Sequence, residues 1–137
     1  MTPEEELIQR YFDAFNSHDI EAVMVRFHAS PVIVDAAGTR FEGRDEVRRH
    51  YETDFALMPD CRCDLRTLTG NSGKAVAESM FFGTRPRSGK VVEAIGAEVV
   101  EIADGRIREI RDYHRPLVSK GGITRGSRAK SKSSART

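Results

Sequence analysis

Val91-Val92-Glu93-Ala94-Ile95-Gly96-Ala97-Glu98-Val99-Val100-Glu101-Ile102-Ala103-Asp104-Gly105-Arg106-Ile107-Arg108-Glu109-Ile110-Arg111-Asp112-Tyr113 alternates apolar and polar residues with a period of two and breaks once, at Asp104-Gly105. Alternation at that period puts every second side chain on one face of a strand, and Asp-Gly is a preferred pair for a two-residue hairpin. Val91–Ile102 and Arg106–Tyr113 are therefore read as two paired strands. Working back toward the N-terminus, Ala75–Thr84 and Cys61–Leu68 carry the same period. They are bounded by Gly70-Asn71-Ser72-Gly73 and Arg85-Pro86-Arg87-Ser88-Gly89, which are turn compositions. Gly83 and Gly96, inside long strands, predict a sheet that bends strongly.

Upstream of residue 61 the period is helical. Thr2 suits an N-cap, Pro3 the first helical position, and Glu4, Glu5 and Glu6 the positive end of the helix dipole. Leu7, Ile8, Tyr11, Phe12 and Phe15 then form one apolar face, broken at Asn16-Ser17-His18-Asp19. Asp19 caps a second short helix carrying Ile20, Val23, Met24 and Phe27. Pro31 ends it, Val32–Asp35 is a short strand, and Ala36-Ala37-Gly38 is a turn. Phe41-Glu42-Gly43 returns, and Val47, Tyr51 and Phe55 define a third helix that stops before Pro59. Helices followed by a run of strands predict an α+β fold, with helices covering one face of a curved antiparallel sheet and enclosing a pocket.

The charge is uneven. Residues 120–137 hold six basic groups and no acid, which leaves 16 of the 22 basic groups against all 21 acids in residues 1–119, a net of −5. Residues 1–118 read as one domain and 119–137 as a disordered basic tail, with nucleic-acid contact limited to a weak touch by that tail. No window has 18 apolar residues, and the acidic opening MTPEEEL has no apolar signal segment, so the expectation is a cytoplasmic protein without a membrane span. Cys61 and Cys63 are read as structural thiols, and nothing in the sequence implies a metal or an organic cofactor.

Three polar groups fall on apolar faces: Tyr11 on the first helix, Asp35 at the end of the first strand, and Glu98 in line with Gly96, Val100 and Ile102. Desolvation favours the neutral form of a carboxyl group, so Glu98 is expected to be protonated. Beside a tyrosine hydroxyl it would offer two hydrogen bonds to one enolate oxygen, with an ionised Asp35 opposite as base. Each has a simpler reading: Tyr11 as a core aromatic, Asp35 as a turn residue bonding its own backbone, and Glu98 as the partner of Arg85 or Arg108 across the sheet. His18 and His28 are read as surface or cap residues, and His50 as lying on a helix surface.

Arg10-Tyr11, His18–Val23, Val32–Gly38, Phe41–Asp45 and His50-Tyr51 together resemble the N-terminal half of bacterial ketosteroid isomerases. The wider resemblance, over residues 5–118, is to the nuclear-transport-factor-like cone fold that also houses SnoaL-like polyketide cyclases. It implies a cone-shaped sheet and a catalytic set of Tyr11, Asp35 and, with a one-residue offset, Glu98. It further implies a pocket lined by Phe15, Phe27, Tyr51, Phe55, Val100 and His114, and a small hydrophobic carbonyl substrate. Dimerisation through the open sheet face, around Ala97, Val99 and Phe81, also follows from the resemblance. Ala36 stands where the isomerases carry proline, Glu98 where they carry aspartate, and the chain has no tryptophan, all of which argue against a steroid. The expected activities are isomerisation by proton transfer next to a carbonyl, cyclase- or hydrolase-like chemistry using His114 or Asp112, or ligand binding without catalysis.

Overall fold

Helix α1 (Pro3–Asn16) begins with a reciprocal capping box, in which Thr2 Oγ accepts from the Glu5 amide and Glu5 accepts from the Thr2 amide. The computed structural model describes residues 1–118, and the basic tail read at 119–137 lies outside them. The acids of the first turn do more than favour the helix dipole. Glu5 accepts from the Gly70 amide at 3.1 Å, Glu4 from the Gly73 amide at 3.0 Å, and Thr2 Oγ donates to the Gly70 carbonyl at 2.8 Å. The helix start is thus tied to the turn between β3 (Arg62–Asn71) and β4 (Lys74–Thr84). At the other end Asn16 exchanges two hydrogen bonds with the Cys63 backbone, at 2.7 and 2.9 Å.

Helix α2 (Ile20–Met24) is capped by Asp19 and is shorter than the sequence suggested. Phe27, expected on this helix, instead opens strand β1 (Phe27–Val34), where it pairs with Ile107. The apolar spacing Val23, Met24, Phe27 fits a helix face equally well, and only the long-range pairing separates the two. Strand β2 (Arg40–Glu42) and helix α3 (Arg44–Leu57) follow.

The sheet then runs through β3, β4, β5 (Val91–Ala103) and β6 (Arg106–Asp112), in the order β2-β1-β6-β5-β4-β3, with the short β7 (Arg115–Pro116) pairing with β5. Every pairing is antiparallel except β1 with β6. The all-antiparallel expectation is corrected there, because the chain passes through α3 and four strands before returning beside β1. The β5–β6 hairpin turns at Asp104 (φ 54) and Gly105 (φ 72), the left-handed pair that a tight hairpin needs.

Two bulges set which residues face the helices. Pairing shifts between Leu65 and Thr67 on β3, so the inner face passes from Cys63 and Leu65 to Leu68 and Gly70. It shifts again opposite Glu101 and Ile102, so β6 turns Ile107, Ile110 and Asp112 inward. An extra residue on one strand also increases local twist, which curls the sheet around the helices. On β4 the inner set is Ala75, Ala77, Ser79 and Phe81, so Phe81 belongs to the core rather than to the outer face. After Asp112 the chain kinks across Gly96 before re-pairing as β7. A Cβ on Gly96 would lie 2.4 Å from both His114 Cα and the Tyr113 carbonyl oxygen, so only glycine permits the crossing. No helix among the described residues is long and apolar enough to cross a membrane.

Candidate active site

The inner face of the sheet and the facing sides of α1 and α3 enclose a chamber. Its apolar walls are Phe12 and Phe15 from α1, Ile33 from β1 and Ile110 from β6. Its polar groups are Tyr11, Tyr51, Cys63, Glu98 and Asp112. Space open to the centre of a water molecule is about 20 Å³, room for roughly one water. Outside it lies a wider vestibule of about 520 Å³, bordered by Arg40, Phe41, Glu46, Arg49 and Thr53. Asp35, His50 and Asp54 line both spaces and so form the throat between them.

Tyr11 is 4% exposed, its hydroxyl 2.6 Å from that of Tyr51. Edge-on contacts to Phe12, Phe27 and Tyr51 fix its ring. Its pKa is pushed well above that of an ordinary phenol, first by burial, then by charge on Tyr51 and on Glu98. Tyr11 therefore remains a proton donor at any physiological pH.

Glu98 and Asp112 are direct partners across β5 and β6, and each is nearly buried. Opposed residues of an antiparallel pair hold their Cβ atoms about 4.5–5.5 Å apart, so the two carboxyl groups are neighbours. The arginine partners expected for Glu98 do not stand opposite it; Ala77 and Asp112 do. Behind Asp112 stands His114, whose Nδ1 lies 2.7 Å from Asp112 Oδ1 and whose amide donates to the same oxygen at 3.0 Å. With the proton on Nδ1, the ring donates to Asp112 and its Nε2 accepts from Ser79 Oγ at 3.0 Å. The Cys63 thiol in turn donates to Ser79 Oγ at 3.3 Å. A ring protonated on both nitrogens also finds an acceptor, the Ser79 carbonyl oxygen at 3.1 Å.

The three residues expected to be catalytic, Tyr11, Asp35 and Glu98, all line this chamber, together with Phe15 and Tyr51. Asp35 Oδ1 accepts from the Ala37 and Thr39 amides at 3.0 and 2.9 Å, so it organises its turn as well as facing the throat. Phe27, Phe55, Val100 and His114, expected in the lining, are not on the wall. Phe27 and Val100 lie in the core; Phe55 packs on Phe15 and stacks on the His18 ring at 4.2 Å; His114 is one layer behind Asp112.

His50, read as lying on a helix surface, stands instead at the throat beside Asp54, which the sequence reading did not name, with Nε2 3.5 Å from Oδ2. Their signal was present: they precede Tyr51 and Phe55 by one residue each and so flank the apolar stripe at i, i+4 spacing. Ser79 could have been found by its parity with Ala75, Ala77 and Phe81. Among the described residues, no group of three or more histidine, cysteine, aspartate or glutamate side chains could hold a metal ion.

Residues 8–110 match the SnoaL-like domain family. Among curated proteins none matches the chain in sequence. Solved structures with the same fold include a Jannaschia sp. CCS1 protein named as a SnoaL-like polyketide cyclase, at 16% identity and TM-score 0.73, covering 83% of this chain and 85% of that one. A Catenulispora acidiphila protein with a ketosteroid isomerase-like fold, solved with trimethylamine, aligns at 15% identity and TM-score 0.72 over 89% and 92% of the two chains. IdmH from Streptomyces antibioticus, named as a polyketide cyclase, aligns at 20% identity and TM-score 0.69 over 81% and 90%.

Proposed function

The chain belongs to the SnoaL-like domain family, and on that footing we propose that it is an acid–base enzyme that forms an enolate from an oxygenated carbonyl chain, in the manner of a polyketide cyclase. The observation that carries this reading is the pair of buried carboxyl groups, Glu98 and Asp112, facing the same chamber as the protonated Tyr11. Two such neighbours in a poorly solvated site disfavour double ionisation, so the pair holds one proton. Asp112, supported by His114, is the carboxylate of the pair and takes the proton from the carbon next to the substrate carbonyl. Glu98 keeps its proton, and with Tyr11 it donates to the enolate oxygen as charge builds there. The narrow chamber has room for no more than the reacting end of a molecule, and the remainder lies in the vestibule among Arg40, Glu46 and Arg49. That polarity suits an oxygenated chain better than a steroid.

A second reading, double-bond isomerisation with Asp35 as the base, is favoured by one observation: Asp35 lines the chamber with its Oδ1 held by two amides. Exchange of α-hydrogens for deuterium in a β-keto ester separates the two. Asp112→Asn abolishes exchange on the first reading and Asp35→Asn on the second. An inactive wild type contradicts each of them. We further propose that two copies pair through the outer sheet face around Val76 and Val99, so that light scattering gives twice the chain mass.

A further inference from the structure

Deprotonating a substrate is half of a ring closure, because the acceptor carbonyl must gain a proton as its carbon is attacked. The chamber groups already described act on the donor carbonyl. The throat holds a different set: His50, Asp54 and Asp35. The His50 ring is 14% exposed, sits against Phe41 with centroids 4.5 Å apart and against Tyr51 at 5.2 Å, and has Asp54 Oδ2 at 3.5 Å. Aromatic neighbours on two sides fix the ring plane, and Asp54 supplies a counter-charge for the protonated ring. Facing the same opening are Arg40, Glu46 and Arg49, so charges of both signs lie within reach of solvent.

We propose that His50 is a second catalytic acid, acting at the throat on the acceptor carbonyl of a substrate whose donor carbonyl lies in the chamber. The inference rests on the cyclase reading above and names its substrate class: a flexible chain with two carbonyl groups, long enough to place one at Tyr11 and the other at His50. The α-carbon loses its proton to Asp112. The enolate carbon forms a bond to the acceptor carbon, and the π pair of that carbonyl moves onto its oxygen. That oxygen takes the proton from His50. Asp112 releases its proton to water and His50 regains one from water, so the step is redox-neutral and needs no co-reactant. His50 and the chamber carboxyl groups thus divide the reaction: the chamber makes the enolate, the throat captures the product alkoxide.

Heptane-2,6-dione in deuterium oxide reads the two halves separately, as α-hydrogen exchange and as ring closure, by proton NMR. Wild type is expected to accelerate both. His50→Gln should keep exchange within about threefold of wild type and lose closure by about a hundredfold, a loss within the range general acid catalysis supplies. Asp54→Asn should lose closure less severely and shift its pH profile without altering that of exchange. Asp112→Asn should lose both. Unchanged closure in His50→Gln, with exchange intact, overturns the throat assignment and leaves the chamber reading standing. Equal losses of exchange and closure in His50→Gln overturn it too, since they mean a structural role. No exchange by wild type removes the enolate reading itself, and the throat assignment with it.

Discussion

Gly96→Ala is a severe test of how the candidate site is built. The added methyl would sit 2.4 Å from His114 Cα, 2.4 Å from the Tyr113 carbonyl oxygen and 2.9 Å from the His114 amide nitrogen. Carbon atoms in contact settle near 3.5–4.0 Å, so one backbone must move by about 1 Å. None of the three atoms is the flexible end of a side chain, and the displaced segment carries the amide and ring that bond Asp112. Overpacking costs about 1–3 kcal/mol, and opposed backbones belong at the upper end; the entropic gain from replacing glycine offsets less than about 1 kcal/mol. A net loss of about 2–3 kcal/mol lowers the melting temperature of a domain this size by roughly 10 °C. Gly83→Ala is the control. There the nearest atom is Met58 Sδ at 2.7 Å, a thioether end that can swing aside, and the expected loss is about 1 kcal/mol. Calorimetry on the two variants checks the contrast. A Gly96→Ala melting point within about 2 °C of wild type would refute the close crossing, and with it the support assigned to Asp112.

Tyr11→Phe should change the alkaline limb of stability. Because the folded-state pKa of Tyr11 lies well above 10.0, its contribution is complete below the unfolded value and is lost as pH rises toward the folded one. Between those limits wild type should lose about 1.4 kcal/mol per pH unit more than Tyr11→Phe in urea titrations, and parallel curves would contradict the burial argument. Thr2→Ala removes a cap and the hydrogen bond to the Gly70 carbonyl, and should lower stability by about 1–2 kcal/mol by chemical denaturation; no loss would mean that α1 is held by its apolar face alone.

Much of the architecture was legible because local rules and the long-range answer agree. The alternation of β4 and β5, the Asp104-Gly105 turn and the start of α1 each follow from their own residues. What was missed depends on pairing between distant segments. Phe27 satisfies a helix pattern and a strand pattern alike, and its pairing with Ile107 decides the matter. The parallel contact of β1 with β6 leaves no local trace. The bulge at Arg66 reverses the parity of β3, and the one at Arg108 reverses that of β6, which is why Asp112 stands beside Glu98 on the inner face of the sheet. Tyr11, Asp35 and Glu98 could be singled out because each interrupts an apolar pattern. His50, Asp54 and Ser79 carried only a weak signal, in spacing and parity, since a flanking histidine, a flanking aspartate and a small serine are ordinary in helices and strands. His114 attracted notice for its polarity; its place behind Asp112 rather than on the wall is set by the kink over Gly96.

Binding of 4-nitrophenolate, a planar mimic of an enolate, reports whether Asp112 is the base beside the enolate site. Followed by absorbance, wild type should bind the anion. Asp112→Asn should bind it more tightly, because a negative charge beside the ligand is gone, while losing α-hydrogen exchange by several powers of ten. Failure of wild type to bind, or tighter binding and lost exchange in Asp35→Asn with Asp112→Asn unchanged, would contradict the assignment of Asp112 as the base.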